Sequence, residues 1–249
     1  MSDLAGYANL YRNIKFERRE GILQVTLHSS GQPLKWGAVK GSVHDQLGDA
    51  FYRIGRDAQN RVVILTGTGD SFCTEFNLQE LPMEAGTPDG WYDITREGKD
   101  LLMNLLEIDA PVIGALNGPA LIHAELLVMS DIVLAAEHTV LADLAHFPGG
   151  TVPGDGAHII WPMLLGPNRA RYFLMMGERI PAAEARALGL VGEVLPAARL
   201  LARAWEVATM LTQKPQRVLR NTRIALTQRM KRHVQEELGY GLLLEGHGI

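Results

Sequence analysis

Cysteine, aromatic residues and long apolar runs are all scarce in this sequence. Cys73 is the one cysteine among 249 residues, which excludes an intrachain disulfide framework and a zinc site built from several cysteines. No run approaches the ~18 consecutive apolar residues that indicate a membrane-spanning helix. The chain starts without the basic and then apolar segment that directs export, so we expect a cytoplasmic protein with no membrane partner.

Strong charge of either sign is also lacking. The net charge is −4, whereas a protein that coats nucleic acid has a basic surface, so we expect no nucleic-acid partner. The composition is 47% hydrophobic and 21% charged, which is typical of soluble globular enzymes. A chain of this length forms one large domain, or a core with a small appendage.

The hydrophobic pattern changes along the chain from strands alternating with helices to helices alone. Short β-branched runs predict strands, and apolar residues three and four apart predict helices. The predicted strands cover 13–16, 22–27, 62–67, 112–116 and 131–136. The predicted helices cover 44–54, 101–108, 125–130, 158–165, 169–176, 182–188, 199–211, 217–230 and 234–244. This order predicts an α/β core over residues 1–195 and a helical region over 196–249.

Several short segments occur in an order that is typical of one family, although no single segment is distinctive. The segments include Ser71-Phe72-Cys73 after the strand at 62–67, Asn117-Gly118-Pro119-Ala120, and the stretches 125–132, 150–156 and 177–191. Over about residues 13–215 the ordered set resembles the crotonase (enoyl-CoA hydratase/isomerase) superfamily. The resemblance implies an α/β fold with a spiral core of ββα turns. It also implies a C-terminal helical trimerisation region, and hence a homotrimer or a dimer of trimers.

Two loops depart from the pattern of the CoA-dependent members. After Phe72-Cys73 those members usually have a small residue, Gly and then Asp, whereas this chain has Thr74-Glu75-Phe76-Asn77. Their Gly-Gly-Gly loop is replaced by the shorter Leu121-Ile122-His123-Ala124. Glycine lets backbone N–H groups approach a thioester oxygen closely, and bulky side chains do not. We therefore expect no preformed backbone oxyanion hole for an acyl-CoA.

The same departures resemble one branch of the superfamily, the β-diketone hydrolases such as 6-oxocamphor hydrolase. Histidine stands in the shortened loop as His123, and His146 takes the place of a second hydratase glutamate. The likeness continues at Trp36, His44-Asp45, Val152-Pro153-Gly154-Asp155-Gly156-Ala157-His158, Trp161-Pro162, Arg171-Tyr172-Phe173-Leu174 and Glu245. The spacing from Trp36 to His44 is longer here than in those enzymes. The resemblance implies a cofactor-independent hydrolase that cleaves a C–C bond of a cyclic or bicyclic β-diketone by a retro-Claisen reaction, giving a keto acid.

The resemblance also implies roles for particular side chains. The implied site consists of a water-activating dyad, two residues that hold oxygen atoms and two substrate-binding residues, namely His146 with Asp155, His123 with Trp36, and His44 with Glu245. Histidine suits a general base because its pKa lies near neutral pH, and a carboxylate fixes its tautomer. We expect His123 to be a neutral donor, since a helix N-terminus close by disfavours its charged form. We expect neither a metal nor a cofactor, because the second carbonyl accepts the electrons.

Other functions stay open at this point. One alternative is a CoA-thioester hydratase, isomerase or hydrolase of the same superfamily, which CoA binding would reveal. Another is a non-catalytic member of the superfamily that acts as a scaffold or binds RNA. The basic stretch at 217–232 is compatible with RNA binding. Taken alone, Asp155 is an ordinary turn residue, and Glu125 is either the match of a hydratase catalytic glutamate or a favourable charge at a helix start. Gly67-Thr68-Gly69 lacks the other residues of a nucleotide-binding motif.

Overall fold

The structure is a computed structural model that describes residues 3–81 and 87–248. Residues 1–2, 82–86 and 249, which fall within the two predicted regions, lie outside the described residues. The strands are β1 (Ile14–Arg19), β2 (Ile22–Leu27), β3 (Leu34–Trp36), β4 (Val62–Gly67), β5 (Cys73–Phe76), β6 (Val112–Leu116), β7 (Ile132–Ala136), β8 (Val140–Leu141), β9 (Ile180–Pro181) and β10 (Glu193–Leu195). The helices are α1 (Leu4–Tyr7), α2 (Val43–Arg56), α3 (Pro88–Glu107), α4 (Glu125–Val128), α5 (Ala157–Leu165), α6 (Pro167–Met176), α7 (Ala182–Ala187), α8 (Ala197–Thr212) and α9 (Gln216–His247), with single 3-10 turns at Leu78–Glu80 and Phe147–Gly149.

The main sheet of the described residues has its strands in the order β1-β2-β4-β6-β7-β10. β1 and β2 form an antiparallel hairpin, and its turn residues Glu20 and Gly21 have φ of 50° and 79°. Two successive positive φ angles give a turn whose twist matches that of the strands. The other neighbouring strands are parallel, and every residue of β4 is buried. Burial on both faces explains why β4 is a continuous β-branched run in the sequence.

A second row of short strands and single bridges runs alongside the main sheet. β3 pairs with β5, Cys73 bridges to Ala120, Ala120 bridges to Leu141 in β8, and β8 pairs with β9. Successive turns of the chain therefore supply one strand to the main sheet and one short strand or bridge to the second row. The pairs are β2 with β3, β4 with β5, β6 with Ala120, and β7 with β8. The predicted spiral of ββα turns is confirmed, although the short second-row strands are not predicted from the sequence.

Both faces of the main sheet are covered. Val63 and Leu65 of β4 belong to the larger core, which also contains residues of α2, α3 and α5, whereas Val62 and Ile64 pack in a second core with α8. Burying a leucine or valine side chain contributes about 1.5–3 kcal/mol. α8 packs against the sheet through its buried residues Leu200, Ala204, Val207 and Ala208. The predicted boundary near residue 195 falls between β10 and α8, and a separate C-terminal domain stays a prediction.

α9 is one helix of 32 residues, so the prediction of two helices at 217–230 and 234–244 is wrong. The intervening Lys231-Arg232-His233 interrupts the apolar pattern, yet Lys and Arg are good helix formers and the backbone continues. The C-terminal half of the helix reaches α3 and α5, and the indole N–H of Trp91 in α3 donates to the carbonyl of Leu242 at 3.0 Å.

Arg223 fixes α9 to the end of α3. Its side chain is 2% exposed, and Nε donates to Oδ2 of Asp131 at 2.8 Å. Its terminal N–H groups donate to the carbonyls of Leu105, Leu106 and Ile108. These are carbonyls that a helix end leaves without intrahelical partners. Among the described residues, no helix is both long and apolar enough to cross a membrane.

Candidate active site

A cavity of about 190 Å³ is lined by all six side chains that the sequence predicts for the site. They are Trp36, His44, His123, His146, Asp155 and Glu245. Trp36 ends β3, His44 lies in the first turn of α2, and Glu245 lies in the last turns of α9. Most of the other lining residues are apolar, and they include Phe76, Leu81, Trp91, Ile94 and Leu242. No lysine or arginine of the described residues lines the cavity.

Five titratable side chains form one line through the site, which we call the histidine–carboxylate chain. Glu125 Oε1 lies 2.8 Å from His123 Nδ1, and His123 Nδ1 lies 3.4 Å from Asp155 Oδ2. Asp155 Oδ1 lies 3.0 Å from His146 Nε2, and His146 Nδ1 lies 2.7 Å from Asp143 Oδ1. Each histidine therefore has one carboxylate of its own, and both share Asp155.

Asp143 orients His146 from within the same short segment. Its Oδ1 accepts from the ring Nδ1 and, at 3.4 Å, from the backbone N–H of His146. A carboxylate on Nδ1 keeps that nitrogen as the donor and leaves Nε2 for the cavity side. The 3.0 Å contact of Nε2 with Asp155 is an ion-pair contact, because Asp155 Oδ1 has no aligned hydrogen-bond donor among the described residues. Sequence reasoning names only Asp155 and misses Asp143, which the Asp-x-x-His spacing could have revealed.

The loop before α4 places His123 in an unusual backbone conformation. Its φ is 51°, and the N–H groups of Leu121 and Ile122 just before it both donate to the carbonyl of Cys73, at 2.8 and 3.2 Å. The imidazole lies 4.1 Å from the ring of Trp36, centre to centre. Glu125 begins α4 and is 3% exposed, and its carboxylate is directed to His123. Glu125 is therefore a buried partner of a histidine as well as a charge at a helix start.

Glycines on both sides bring Asp155 into the cavity. A Cβ on Gly154 would lie 2.1 Å from the carbonyl oxygen of Gly241 in α9, so the loop and the helix touch through their backbones. Gly156 has φ of 118°, a conformation that favours glycine. Close approach of α9 to this loop is what puts Glu245 beside Asp155.

The charges of the chain raise the pKa of both histidines. Burial lowers the pKa of His146, but the charge of Asp155 at 3.0 Å and the hydrogen bond to Asp143 outweigh it, so that the pKa is well above the ordinary 6.5. Burial also lowers the pKa of His123, and the charges of Glu125 and Asp155 reverse the effect, so that this pKa is raised too. This direction is opposite to the one expected from a nearby helix N-terminus, because two carboxylates outweigh a helix of only four residues.

The two acids at the centre of the cavity have opposite pKa shifts. Burial raises the pKa of Asp155, but the positive charges of His146 and His123 outweigh it and lower the pKa below its usual range. Burial and then the charge of Asp155 raise the pKa of Glu245 to about 8. Oε2 of Glu245 has no hydrogen-bond partner among the described residues. Near neutral pH the site thus holds an ionised Asp155 beside a mostly protonated Glu245.

His44 has a carboxylate partner that sequence reasoning does not find. Its Nδ1 lies 3.1 Å from Oε2 of Glu97 in α3, and its ring lies edge-on to Trp36 at 5.9 Å. Glu97 is 53 residues away in the chain, so no local pattern links the two. One donor atom each of His123, His146 and Asp155 lies within 4.8 Å of the others, so these three residues could hold a metal ion.

Comparison with known proteins gives one family over most of the chain. The sequence pattern of the enoyl-CoA hydratase/isomerase family matches residues 17–242. Among curated proteins, the chain is 30% identical to a carnitinyl-CoA dehydratase of Shigella flexneri over 200 residues, which are 80% of this chain and 74% of that protein. It is 31% identical to a carnitinyl-CoA dehydratase of Salmonella arizonae over 202 residues, 81% of this chain and 75% of that protein.

Solved structures give a more specific likeness. A β-diketone hydrolase from the cyanobacterium Anabaena sp. PCC 7120, bound to (S)-3-oxocyclohexyl acetic acid, is 48% identical with a TM-score of 0.93, covering 96% of this chain and 95% of that one. An enoyl-CoA hydratase/isomerase from Mycobacterium paratuberculosis is 27% identical with a TM-score of 0.84, covering 95% and 93%. The predicted resemblance to the crotonase superfamily and, within it, to the β-diketone hydrolases is confirmed, as is the predicted fold.

Proposed function

Since the chain belongs to the enoyl-CoA hydratase/isomerase (crotonase) family, we propose that it is a member that hydrolyses a C–C bond of a cyclic or bicyclic β-diketone. The observation that carries this proposal is the histidine–carboxylate chain, which lies in a small and mostly apolar cavity. The likeness to a β-diketone hydrolase at 48% identity supports it. The reaction is a retro-Claisen cleavage that adds one water and releases a keto acid.

His146 and Asp155 activate the water. Neutral His146 takes a proton from water at Nε2 while the water oxygen attacks one carbonyl carbon, and the imidazolium that forms is stabilised by Asp155 at 3.0 Å and by Asp143 at 2.7 Å. The tetrahedral intermediate then collapses to a carboxylic acid. The C–C bond breaks, and its electron pair moves into the second carbonyl to form an enolate.

His123 holds the negative oxygen and Glu245 returns a proton. The imidazole is held in place by Glu125 and Asp155, and a preorganised donor of this kind contributes about 2.7–4 kcal/mol. Trp36 and His44 complete the polar contacts of the substrate pocket, with Trp36 assigned to the other carbonyl. Glu245, with its pKa raised to about 8, protonates the α-carbon of the enolate. The proton on His146 then restores Glu245 through solvent, so that one water is consumed per turnover.

A CoA-thioester enzyme is the second candidate, because the curated relatives act on carnitinyl-CoA by name. Two observations argue against it. The N–H groups of Leu121 and Ile122 are bonded to Cys73 rather than free to form an oxyanion hole. The described lining also holds no cationic side chain for a phosphate.

We also propose that the exposed apolar side chains of α8 and α9 are covered in a homotrimer or a dimer of trimers. Leu226 is 73% exposed, Met210 54% and Val218 52%. Val218 and Leu226 line one groove on α9, and an exposed apolar patch marks an interaction site. Light scattering of the purified protein at several concentrations measures the mass, and a monomer at every concentration contradicts this proposal.

The activity is tested with a panel of cyclic and bicyclic 1,3-diketones in the absence of CoA. We expect loss of diketone and formation of an acid heavier by one water, abolished in His146→Ala. His233→Gln is the matched control, because His233 is a partly exposed histidine of α9 outside the cavity lining, and among the described residues it pairs with Glu237 at 3.1 Å. No turnover, together with saturable binding of an acyl-CoA, would establish the second candidate instead.

A further inference from the structure

The centre of the histidine–carboxylate chain has the donor set of a transition-metal site. His123, His146 and Asp155 each offer one donor atom, and these atoms lie within 4.8 Å of one another. Two imidazoles and a carboxylate are a set that Zn²⁺ accepts in catalytic sites, where the fourth position stays open to water or substrate. Here the open position faces the cavity that the three residues line.

The spacing of the donors suits an ion of this size. Metal–ligand distances of about 2.0–2.1 Å at a tetrahedral angle separate neighbouring donors by roughly 3.3 Å. His146 Nε2 lies 3.0 Å from one oxygen of Asp155, and His123 Nδ1 lies 3.4 Å from the other. Asp155 Oδ1 is buried without an aligned hydrogen-bond donor among the described residues, so one ligand oxygen is available. An ion at these atoms would replace the protons now held there, including the one between His123 Nδ1 and Glu125 Oε1 at 2.8 Å.

The surroundings also favour a divalent cation. Asp143 accepts from Nδ1 of His146 at 2.7 Å, and a carboxylate behind a histidine is the arrangement that orients metal-ligating imidazoles. The ionisable groups around the three donors come from several elements, and they are Glu125 of α4, Asp143, Glu245 of α9, and the pair of His44 in α2 and Glu97 in α3. Most of them are carboxylates, and no lysine or arginine of the described residues lines the cavity.

We propose that His123, His146 and Asp155 form a binding site for one zinc-class divalent ion. Two of the three ligands are the base His146 and its partner Asp155 of the proposed function, so a bound ion occupies Nε2 of His146 and blocks the proton transfer on which turnover depends. That consequence rests on the proposed function, whereas binding itself does not. The ion must displace protons from both imidazoles, so affinity rises with pH.

The test uses the full chain stripped of metal with a chelator and titrated with Co²⁺, whose visible absorption reports coordination. We expect one Co²⁺ per chain with four-coordinate bands that added Zn²⁺ removes. Asp143→Asn, which leaves the three ligands in place, lowers affinity about 10- to 100-fold, and Asp155→Asn lowers it further. His233→Gln removes the exposed His233–Glu237 pair of α9 and leaves affinity unchanged.

Two results would overturn the inference. One is binding that His233→Gln abolishes and Asp155→Asn leaves intact, which would assign the ion to the surface pair. The other is an absence of stoichiometric binding by the folded wild-type chain at pH 8. If the variants fail to fold by circular dichroism, X-ray absorption of the zinc-loaded wild type decides. Two imidazole ligands with oxygen support the site, and one imidazole or none rejects it.

Discussion

Replacing Asp155 with asparagine removes one charge and keeps the shape of the side chain, so it separates electrostatics from packing. Opposite unit charges 3.0 Å apart attract by roughly 5.5 kcal/mol at an effective dielectric constant near 20. That is close to the upper end of what a general base contributes, about 10²- to 10⁴-fold in rate or roughly 2.7–5.5 kcal/mol. We expect Asp155→Asn to lower kcat for diketone hydrolysis by about 10²- to 10⁴-fold.

The pH dependence of the same variant is the sharper part of the prediction. His146 accepts a proton only when it is neutral, and its pKa is raised above 6.5, so kcat/KM of the wild type rises with pH through a value above 6.5. The charge of Asp155 is the largest cause that raises this pKa. Its removal must lower the pKa of His146. The acid limb of the kcat/KM profile therefore moves to lower pH in Asp155→Asn, although this variant is slower than the wild type.

The assay is the initial rate of diketone loss from pH 5 to pH 9, with protein folding checked by circular dichroism. Asp93→Asn is the control, because Asp93 is 66% exposed and its contact with Arg96 at 3.8 Å is a surface pair of little energy. An acid limb that stays in place or moves to higher pH in Asp155→Asn would refute the electrostatic reasoning. Unchanged kcat would refute the role of Asp155 altogether.

Four further predictions concern other parts of the site and its support. His123→Ala lowers kcat by about 10²- to 10³-fold in steady-state assays with a small change in KM. It removes a hydrogen-bond donor to the oxygen that becomes negative in the transition state. Glu245→Gln melts above the wild type by a margin that grows as pH rises from 4.5 to about 8. In this range the carboxyl of Glu245 is ionised in the unfolded wild type but still protonated in the folded one, so the wild type loses stability with rising pH. Arg223→Met lowers the free energy of urea unfolding by about 1–3 kcal/mol, because it leaves the buried carbonyls at the end of α3 without their donor, whereas the exposed Arg229→Met is neutral. Gly154→Ala lowers both melting temperature and activity, because a Cβ there meets a carbonyl of α9 at 2.1 Å.

The inner strands β4 and β6 of the main sheet could be predicted from sequence because they are buried on both faces, whereas the edge strand β10 has three half-buried residues and is not predicted. β4 and β6 are short, uninterrupted runs of mostly apolar residues, a pattern typical of strands in a buried parallel sheet. The structure has them where the pattern predicts, at Val62–Gly67 and Val112–Leu116. β3 and β5 could not be predicted, because three or four residues do not establish an alternation. The single α9 was missed for a related reason, since a charged stretch at 231–233 hides the continuity of the backbone.

The residues of the cavity could be named from resemblance, but their partners could not. Asp143 has a local signal, three residues before His146, because such spacing lets one carboxylate reach both the ring and the backbone N–H. Glu97 has none, because its contact with His44 depends on how α3 packs on α2. The raised pKa of His123 also depends on distances, since it follows from carboxylates at 2.8 and 3.4 Å that only the folded chain brings together.

The altered loops and the additional carboxylates are parts of one change in how the site holds negative charge. A hole made of backbone N–H groups needs glycine for close approach and needs no further orientation, because the peptide plane fixes the donor. A side-chain donor such as His123 can rotate and can lose its proton, so it needs acids to hold both its direction and its charge. Glu125 and Asp155 meet that need, and each is ordered by a short loop or helix start. A variant with glycine at 123 would therefore leave Glu125 without its imidazole partner and Asp155 with His146 alone, and we expect it to be destabilised as well as inactive.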